Sequence, residues 1–265
     1  MTDLVFDVLD SSEHTLTKTS TLVYGAEALM IVDTGLTASQ AHRIVASALE
    51  AGRPVTHVLI SGAGPDFFFG AGIVSDAFPD AHVFAPARVL DRIVQTYEGK
   101  LAHWARLGRD LPTRRAVIDA WDGDAFEFEG RLFELRAGGG ALGWRGDYVW
   151  QPQGHTVLGG ALLYGGDHVW TAGTPTAAAR AEWAARLREL QSVAARRIVP
   201  GHRKAGWPGD PVTWTLEYLD VFEQVVTAAD APAAAARALR ERFPEAGLVA
   251  AVDIGVTAAM GRPDH

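Results

Sequence analysis

The stretch from Thr56 to Gly72, THVLISGAGPDFFFGAG, most constrains what this chain can fold into. Its aliphatic run Val58–Ile60 predicts a buried strand, which ends at Ser61-Gly62. A turn rich in glycine and proline and then three consecutive phenylalanines follow. Because α/β proteins place their chemistry in the loops that follow strands, we expect a functional site in this loop.

Two further strand ends frame that loop. The predicted strand Ala28–Val32 leads into Asp33-Thr34-Gly35, and the predicted strand Arg197–Val199 leads into Pro200-Gly201-His202. Strand–DTG–helix, strand–loop and strand–VPGH, in this order, resemble the metallo-β-lactamase superfamily over roughly residues 12–205. The resemblance implies a four-layer αββα sandwich and, for typical members, hydrolysis by a metal-bound hydroxide.

The motif loop departs from the superfamily pattern. In the superfamily it reads His-x-His-x-Asp-His and supplies most ligands of one or two metal ions, usually zinc. The same positions are here Gly62, Gly64, Asp66 and Phe67. Glycine has no side chain and phenylalanine has no lone pair, so three of the four ligands in this loop are missing.

The resemblance also locates the remaining ligands. A further histidine is expected at Gly143, and a bridging aspartate within the strand that contains Ala161-Leu162, so both are lost. Only Asp66 and His202 remain of the usual set. A zinc site needs three or four protein ligands, so no metal cofactor is predicted unless new donors such as Asp167 or His168 rebuild the site.

The candidate catalytic residues are Asp66, His202 and His168, as acid/base groups. Two alternatives stay open: Asp66 as a helix cap, and His202 as a partner that only hydrogen-bonds Asp66. The space left by the missing imidazoles is expected to form an apolar pocket for a flat organic ligand. The residues predicted to bind that substrate are Phe67, Phe68, Phe69, Trp144, Tyr164, Trp170 and Lys204. The aromatic run could instead pack in the core, and the resemblance implies that Asp33 braces the loop.

Three functions follow from these residues. The preferred one is a metal-independent enzyme that acts on a small, largely apolar organic substrate by acid/base chemistry, as an isomerase, cyclase, lyase or dehydratase of the kind used in biosynthesis. The second is a metal-dependent hydrolase of an ester, lactone, thioester or amide. The third is a non-catalytic small-molecule-binding protein.

The predicted architecture is α/β, with residues 1–208 forming the sandwich and residues 209–265 a helical extension that packs on it or on a second subunit in a homodimer. Strands are predicted over both halves, and helices over Ala177–Val193 and three segments after Gly209. The predicted strands include Thr15–Lys18 in the first half and Ala161–Tyr164 and His168–Trp170 in the second half.

Composition limits the partners and the compartment. The formal net charge of −8 argues against nucleic acid or an anionic membrane as the main partner. The absence of cysteine excludes disulfides, thiolate metal sites and a cysteine nucleophile. The first residues resemble no signal peptide and no apolar run reaches the roughly 20 residues of a membrane span, so a cytoplasmic location is predicted.

Overall fold

A computed structural model describes residues 3–261 of the chain. Two β-sheets pack face to face with helices on both outer faces, so the predicted four-layer αββα sandwich is confirmed. The predicted sandwich begins at residue 1 and the predicted helical extension ends at residue 265. Residues 1–2 and 262–265 of these two segments lie outside the described residues.

The first sheet has six strands in sequence order. Its first three strands are antiparallel and the rest are parallel. The strands are β1 (Val5–Leu9), β2 (Ser20–Tyr24), β3 (Leu29–Val32), β4 (Val55–Leu59), β5 (His82–Pro86) and β6 (Asp119–Trp121). The helices of this half are α1 (Ala38–Glu50), α2 (Pro65–Phe68), α3 (Ala71–Ala77) and α4 (Ala87–His103). β3 is buried along its whole length, as its continuous apolar run predicts, because it lies between the second sheet and a helical layer.

The strands of the second sheet are β7 (Ala125–Phe128), β8 (Arg131–Arg136), β9 (Tyr148–Gln151), β10 (Thr156–Leu158) and β12 (Arg197–Val199). Their order in this five-stranded sheet is β12-β10-β9-β8-β7. Helix α5 (Ala177–Gln191) covers this sheet, and the Thr176 hydroxyl caps it by accepting from the amide of Ala179. A separate parallel pair of short strands, β11 (Tyr164–Gly165) and β13 (His202–Arg203), brings His202 beside Tyr164.

Three apolar clusters hold these layers together. The cluster between the sheets takes side chains from both, including Met30, Phe84, Phe133 and Val199. A second lies between the first sheet and α1 and α4, and a third lies under α5. Burial of these side chains is the main term that stabilises such a sandwich.

The helices after residue 209 are α6 (Pro211–Ala228), α7 (Pro232–Arg242) and α8 (Ala250–Met260). Buried residues such as Tyr218, Leu239 and Val252 lie in the same apolar cluster as Trp183 of α5. The predicted helical extension therefore packs on the sandwich of its own chain. The boundary at residue 208 stays a prediction.

One of the strands predicted in the first half is wrong. Thr15–Lys18 is a 3-10 turn at Glu13–Thr15 followed by two residues with left-handed backbone, Leu16 and Thr17. Only an isolated bridge joins Lys18 to His202. The alternating polar and apolar residues of this segment do not produce a strand. Single contacts to a neighbouring loop hold the segment instead, such as the hydrogen bond from Thr19 N–H to Gly201 C=O at 2.9 Å.

Two predicted strands of the second half are also wrong. Ala161–Tyr164 overlaps a 3-10 turn at Gly160–Leu162, and only Tyr164 of this segment belongs to a strand. His168–Trp170 has no strand pairing in the described structure, although its neighbour Asp167 forms one isolated bridge to Gly247. Both segments contain apolar residues that are buried under the C-terminal helices. Buried apolar residues outside a sheet give the same sequence pattern as a buried strand, which explains both wrong predictions.

Glycine at position 70 is required by the close approach of two loops. The Gly70 amide donates to Gly35 C=O at 3.0 Å, and a Cβ at Gly70 would lie 2.0 Å from the Thr34 carbonyl oxygen.

We expect Gly70→Ala to lower the free energy of unfolding by about 1–3 kcal/mol, the usual cost of overpacking. In α4, no atom lies within 4 Å of a Cβ at Gly99, so Gly99→Ala should raise it by about 0.5–1 kcal/mol. Urea unfolding measures both, and equal effects would contradict this packing.

Candidate active site

Asp33 organises the strand ends around the site. Its Oδ1 accepts the Ser61 amide at 2.7 Å, and its Oδ2 accepts both the Ser61 hydroxyl and the Lys18 ammonium at 2.7 Å. All three residues are buried. Asp33 thus joins the ends of β3 and β4 to the N-terminal segment, in line with the bracing role that the sequence resemblance implies.

The loop after β4 forms the short helix α2. Gly64 is its N-cap and Pro65 its first residue, where proline's fixed φ and missing N–H suit a helix start. Asp66 follows in the first turn, so it does not occupy the capping position. The Phe67 carbonyl accepts the amide and the hydroxyl of Thr34 at 2.9 and 3.1 Å, which ties this helix to the DTG loop.

The ring of Phe67 fills the space beside the two glycines that replace histidine. A Cβ at Gly62 would lie 2.7 Å from this ring and 2.9 Å from Trp144, and a Cβ at Gly64 would lie 2.9 Å from the ring. The expectation that the missing imidazoles leave an open pocket is therefore wrong at this position. The Lys18 Nζ lies 4.3 Å from the centroid of the same ring, a cation–π contact.

Asp66 and His202 form a buried pair. Asp66 Oδ2 lies 3.4 Å from His202 Nε2, and each residue is 5% exposed. The His202 Nδ1 lies 2.9 Å from the Leu16 carbonyl oxygen. Because a carbonyl only accepts, Nδ1 carries a proton, and in neutral His202 the lone pair of Nε2 faces Asp66. A proton on either Asp66 Oδ2 or His202 Nε2 would therefore lie between the two groups.

Burial decides where that proton resides. Desolvation raises the pKa of Asp66 to about 6, and the charges of Lys18 and Lys100 offset only part of this effect. Desolvation, and then the charge of Lys18, lower the pKa of His202 to about 3. Below about pH 6 the proton is thus on Asp66, and His202 is neutral.

The carboxyl group of Asp66 is incompletely satisfied. Its Oδ2 is buried with no formed hydrogen bond, since 3.4 Å exceeds the usual range of about 2.7–3.2 Å. Catalytic hydrogen bonds are often long in unliganded enzymes and shorten only in the substrate complex. An orphaned carboxyl oxygen facing a histidine lone pair is an arrangement suited to proton transfer.

Tyr164 supports His202 from one face. Their rings stack at 4.8 Å between centroids and 7° between planes. Burial, followed by the charge of Asp66, raises the pKa of the Tyr164 hydroxyl far above its usual value. Tyr164 therefore stays protonated and holds the imidazole in place, and Trp170 lies behind it, half-buried against the second-half core.

Phe68 and Phe69 lie on another side of the loop. Both rings contact Tyr97 of α4, at 6.1 and 6.2 Å between centroids. They line a groove of about 390 Å³ between α4 and the segment 114–118, and none of its lining residues belongs to the Asp66–His202 pair. The two phenylalanines are thus not placed with Phe67 in one pocket.

Two further predicted residues have their contacts elsewhere. His168 Nδ1 lies 3.2 Å from the Tyr218 hydroxyl, and its ring packs on Phe243 among the C-terminal helices. Burial, followed by the charge of Arg240, lowers the pKa of His168 to about 4. The Lys204 ammonium donates to the Glu245 carbonyl at 2.6 Å. Neither residue shows a contact with Asp66 or His202.

Sequence reasoning missed three cations around the site: Lys18, Lys100 and Arg145. Lys18 could have been noticed in the sequence, because it is the only charged residue in the threonine-rich segment 15–21. Lys100 lies on the same helical face as Thr96, one turn earlier, and Arg145 directly follows the predicted Trp144. Each reaches the site through a contact between distant parts of the chain, which no local pattern encodes.

The donor set does not fit the superfamily's metal. Only Asp66 and His202 stand at ligand positions, the Phe67 ring occupies the space beside Gly62 and Gly64, and Lys18 places a cation against that ring. Among residues 3–261 no group of three or more His, Cys, Asp or Glu side chains is arranged to hold a metal ion. A zinc ion would lack ligands here and would meet the repulsion of an ammonium group.

The fold and the order of the site loops define a metallo-β-lactamase-like protein. The model of the metallo-beta-lactamase superfamily matches residues 16–202, and the chain belongs to that family. No curated protein matches the sequence.

Solved structures share this fold at low sequence identity. A beta-lactamase domain protein from Burkholderia ambifaria has a TM-score of 0.64 and 13% identity, covering 96% of this chain and 84% of that protein. A metallo-beta-lactamase family protein from Thermus thermophilus has a TM-score of 0.63 and 16% identity, covering 96% and 92%. A metallo-beta-lactamase from Pontibacter korlensis has a TM-score of 0.55 and 20% identity, covering 83% and 96%. At these identities the likeness shows the fold alone.

None of the helices between residues 3 and 261 combines the length and the apolar composition needed to cross a bilayer.

The raised pKa of Asp66 predicts a stability effect with a defined sign. Its pKa of about 6, against an ordinary 3.8, makes ionisation within the folded protein cost about 3 kcal/mol. The contribution of Asp66 to the free energy of unfolding of the wild type is fully present below pH 3.8 and is lost as the pH rises through 6. Asp66→Asn should therefore be the more stable protein above pH 6, by up to about 3 kcal/mol, and lose that advantage near pH 4.

Denaturant unfolding at several pH values measures this difference. Asp119→Asn is the matched control, because the Asp119 side chain is 63% exposed and the same substitution there should change little. An Asp66→Asn protein that is less stable than the wild type at pH 8 would contradict a burial-raised pKa.

Proposed function

We propose that this protein is a metal-independent enzyme in which Asp66 and His202 transfer protons to and from a small organic substrate. The observation that carries the proposal is the buried contact of Asp66 Oδ2 with His202 Nε2, at 3.4 Å and with no other partner for that oxygen. Buried titratable pairs with displaced pKa values are characteristic of catalytic sites.

The pair supports acid/base chemistry near neutral pH. As a carboxylate, Asp66 accepts a proton from an acidic C–H or O–H of the substrate, and as an acid it returns a proton to another atom. His202 accepts a proton at Nε2 or donates it back, while Leu16 holds Nδ1–H in place. Removal of a proton from one atom and its return to another is an isomerisation, whereas removal of a C–H proton together with protonation of a hydroxyl on the neighbouring carbon forms a double bond and releases water, a dehydration.

Lys18 supplies fixed positive charge close to this pair. Its charge opposes both the raised pKa of Asp66 and protonation of His202. Asp33 pairs with this ammonium at 2.7 Å, and the desolvation of Asp66 outweighs the effect of the Lys18 charge, so the pKa of Asp66 stays raised. A preorganised cation of this kind favours a substrate that develops negative charge.

A metal-dependent hydrolase is the less favoured activity. That chemistry needs a bound water activated by an ion, and the residues that would hold the ion are replaced by glycine and phenylalanine.

A non-catalytic binding protein is the second candidate. The groove lined by Phe68, Phe69 and Tyr97 favours it, because an apolar concavity of about 390 Å³ has the dimensions of a small-ligand site. Its signature would be tight binding without conversion, insensitive to substitution of Asp66. A cytoplasmic location and a homodimer remain predictions.

Proton transfer can be measured before the product is known. Purified protein with a chelator in heavy water is incubated with a panel of enolisable ketones and carboxylic acids, and deuterium uptake into carbon is followed by NMR. We expect uptake into at least one compound, increasing above pH 6 as Asp66 ionises. Asp66→Asn and His202→Gln should each lower the rate by about 100-fold or more.

The exposed pair His82–Asp119, with a 3.1 Å contact, offers matched controls. His82→Gln and Asp119→Asn should leave deuterium uptake unchanged. Uptake that survives both substitutions in the buried pair, or that requires added zinc, would overturn the proposal.

A further inference from the structure

Three cations without carboxylate partners among the described residues lie near the motif loop that carries Asp66. They are Lys100 and Arg92 of α4 and Arg145 of the Gly143–Gly146 turn. Among residues 3–261 none of the three forms an ion pair within 4 Å of a carboxylate oxygen. In a chain of net charge −8, such a local excess of positive charge needs a reason.

Lys100 is fixed against the motif loop. Its ammonium donates to the Thr96 hydroxyl at 2.6 Å and to the carbonyl of Ala63, three residues before Asp66. Arg92, Thr96 and Lys100 follow one another at intervals of four along α4 and therefore share a helical face. This face presents two cations beside the loop that carries Asp66.

Arg145 lies on another side of the same loop. Its guanidinium stacks on the Trp144 ring at 4.8 Å, and that ring contacts Phe67 at 6.1 Å between centroids. A Cβ at Gly173 would lie 2.4 Å from the Arg145 Nε, so glycine there leaves room for the guanidinium. Stacked and half-buried, the group is preorganised, and its N–H donors form no hydrogen bond to a described residue.

These cations repel one another across a small space. The charge of Arg92 lowers the pKa values of both Lys100 and Arg145, after burial as the main cause. Among the described residues, no atom lies within 4 Å of a Cβ at Gly143, so the turn that carries Arg145 is open on that side. An anion bound between the cations would reduce their repulsion and accept from the Arg145 guanidinium.

We propose that Arg145 and Lys100, with Arg92 beside them, bind a carboxylate group of a small organic substrate and direct its reacting part toward Asp66. The inference rests on the proposed function for the role of Asp66, but not for the binding itself. Arg145 is assigned the bidentate contact, because a planar guanidinium matches the two oxygens of a carboxylate. Lys100 and Arg92 attract the anion and set its orientation.

Binding can be tested without turnover. The probes are acetate, benzoate and phenylacetate, with acetamide, benzamide and phenylacetamide as neutral counterparts, titrated by calorimetry and by NMR of arginine Nε–H groups. We expect at least one carboxylate to bind and to shift the Arg145 signal, while its amide does not. Arg145→Gln and Lys100→Gln should each weaken this binding about tenfold, and Arg145→Lys should restore only part of it.

Arg106→Gln is the matched control, because Arg106 also stacks on a tryptophan, Trp104 at 4.2 Å, but outside this cluster. It should leave carboxylate binding unchanged, and the melting temperatures of all variants show whether they fold. No binding by any carboxylate, equal binding of acids and amides, or binding that survives Arg145→Gln with Lys100→Gln would overturn the inference. Carboxylate binding that persists in Asp66→Asn without any deuterium uptake in the wild type would contradict only the proposed chemistry.

Discussion

The buried ion pair of Lys18 and Asp33 is the interaction on which the site depends. Their 2.7 Å contact, with both side chains almost fully buried, joins the N-terminal segment to the end of β3. The same carboxylate binds Ser61, so it also fixes the point at which the motif loop leaves β4. Removing either partner would leave an uncompensated buried charge, which typically costs about 3–5 kcal/mol. The Lys18–Asp33 pair therefore fixes the start of the loop that carries Asp66.

The fold was predictable because the DTG segment, the motif loop and the VPGH segment each follow a strand, in an order that resembles the metallo-β-lactamase superfamily. The site was predicted less completely. Three consecutive phenylalanines cannot share one pocket in a helix, since successive side chains point about 100° apart, and only Phe67 faces His202. Lys18 and Arg145 escaped notice because segments far apart in the chain bring them to the loop. His168 resembled a site residue by its position in the sequence but packs on Tyr218 among the C-terminal helices.

The replacements in the loop act together rather than singly. Glycine at 62 and 64 creates space, and the Phe67 ring fills it, so the loop keeps a packed interior without imidazoles. Burial in that interior, against an aromatic wall, raises the pKa of Asp66 to about 6 and lowers that of His202 to about 3. Two of the positions at which the sequence resemblance implies metal ligands thus carry a buried pair of a carboxyl group and an imidazole in this chain. Stability is lost by burying such a pair, a common cost of a functional site.

The most direct measurement is the ¹⁵N NMR spectrum of His202 from pH 5 to pH 8, with and without added zinc. The account predicts a neutral imidazole throughout this range, protonated at Nδ1, with the Nε2 signal changing near pH 6 as Asp66 loses its proton. Zinc should leave both signals unchanged, because the donor set is too small to hold it. An imidazolium signal at pH 7, protonation at Nε2 alone, or a zinc-dependent change at His202 would contradict the account.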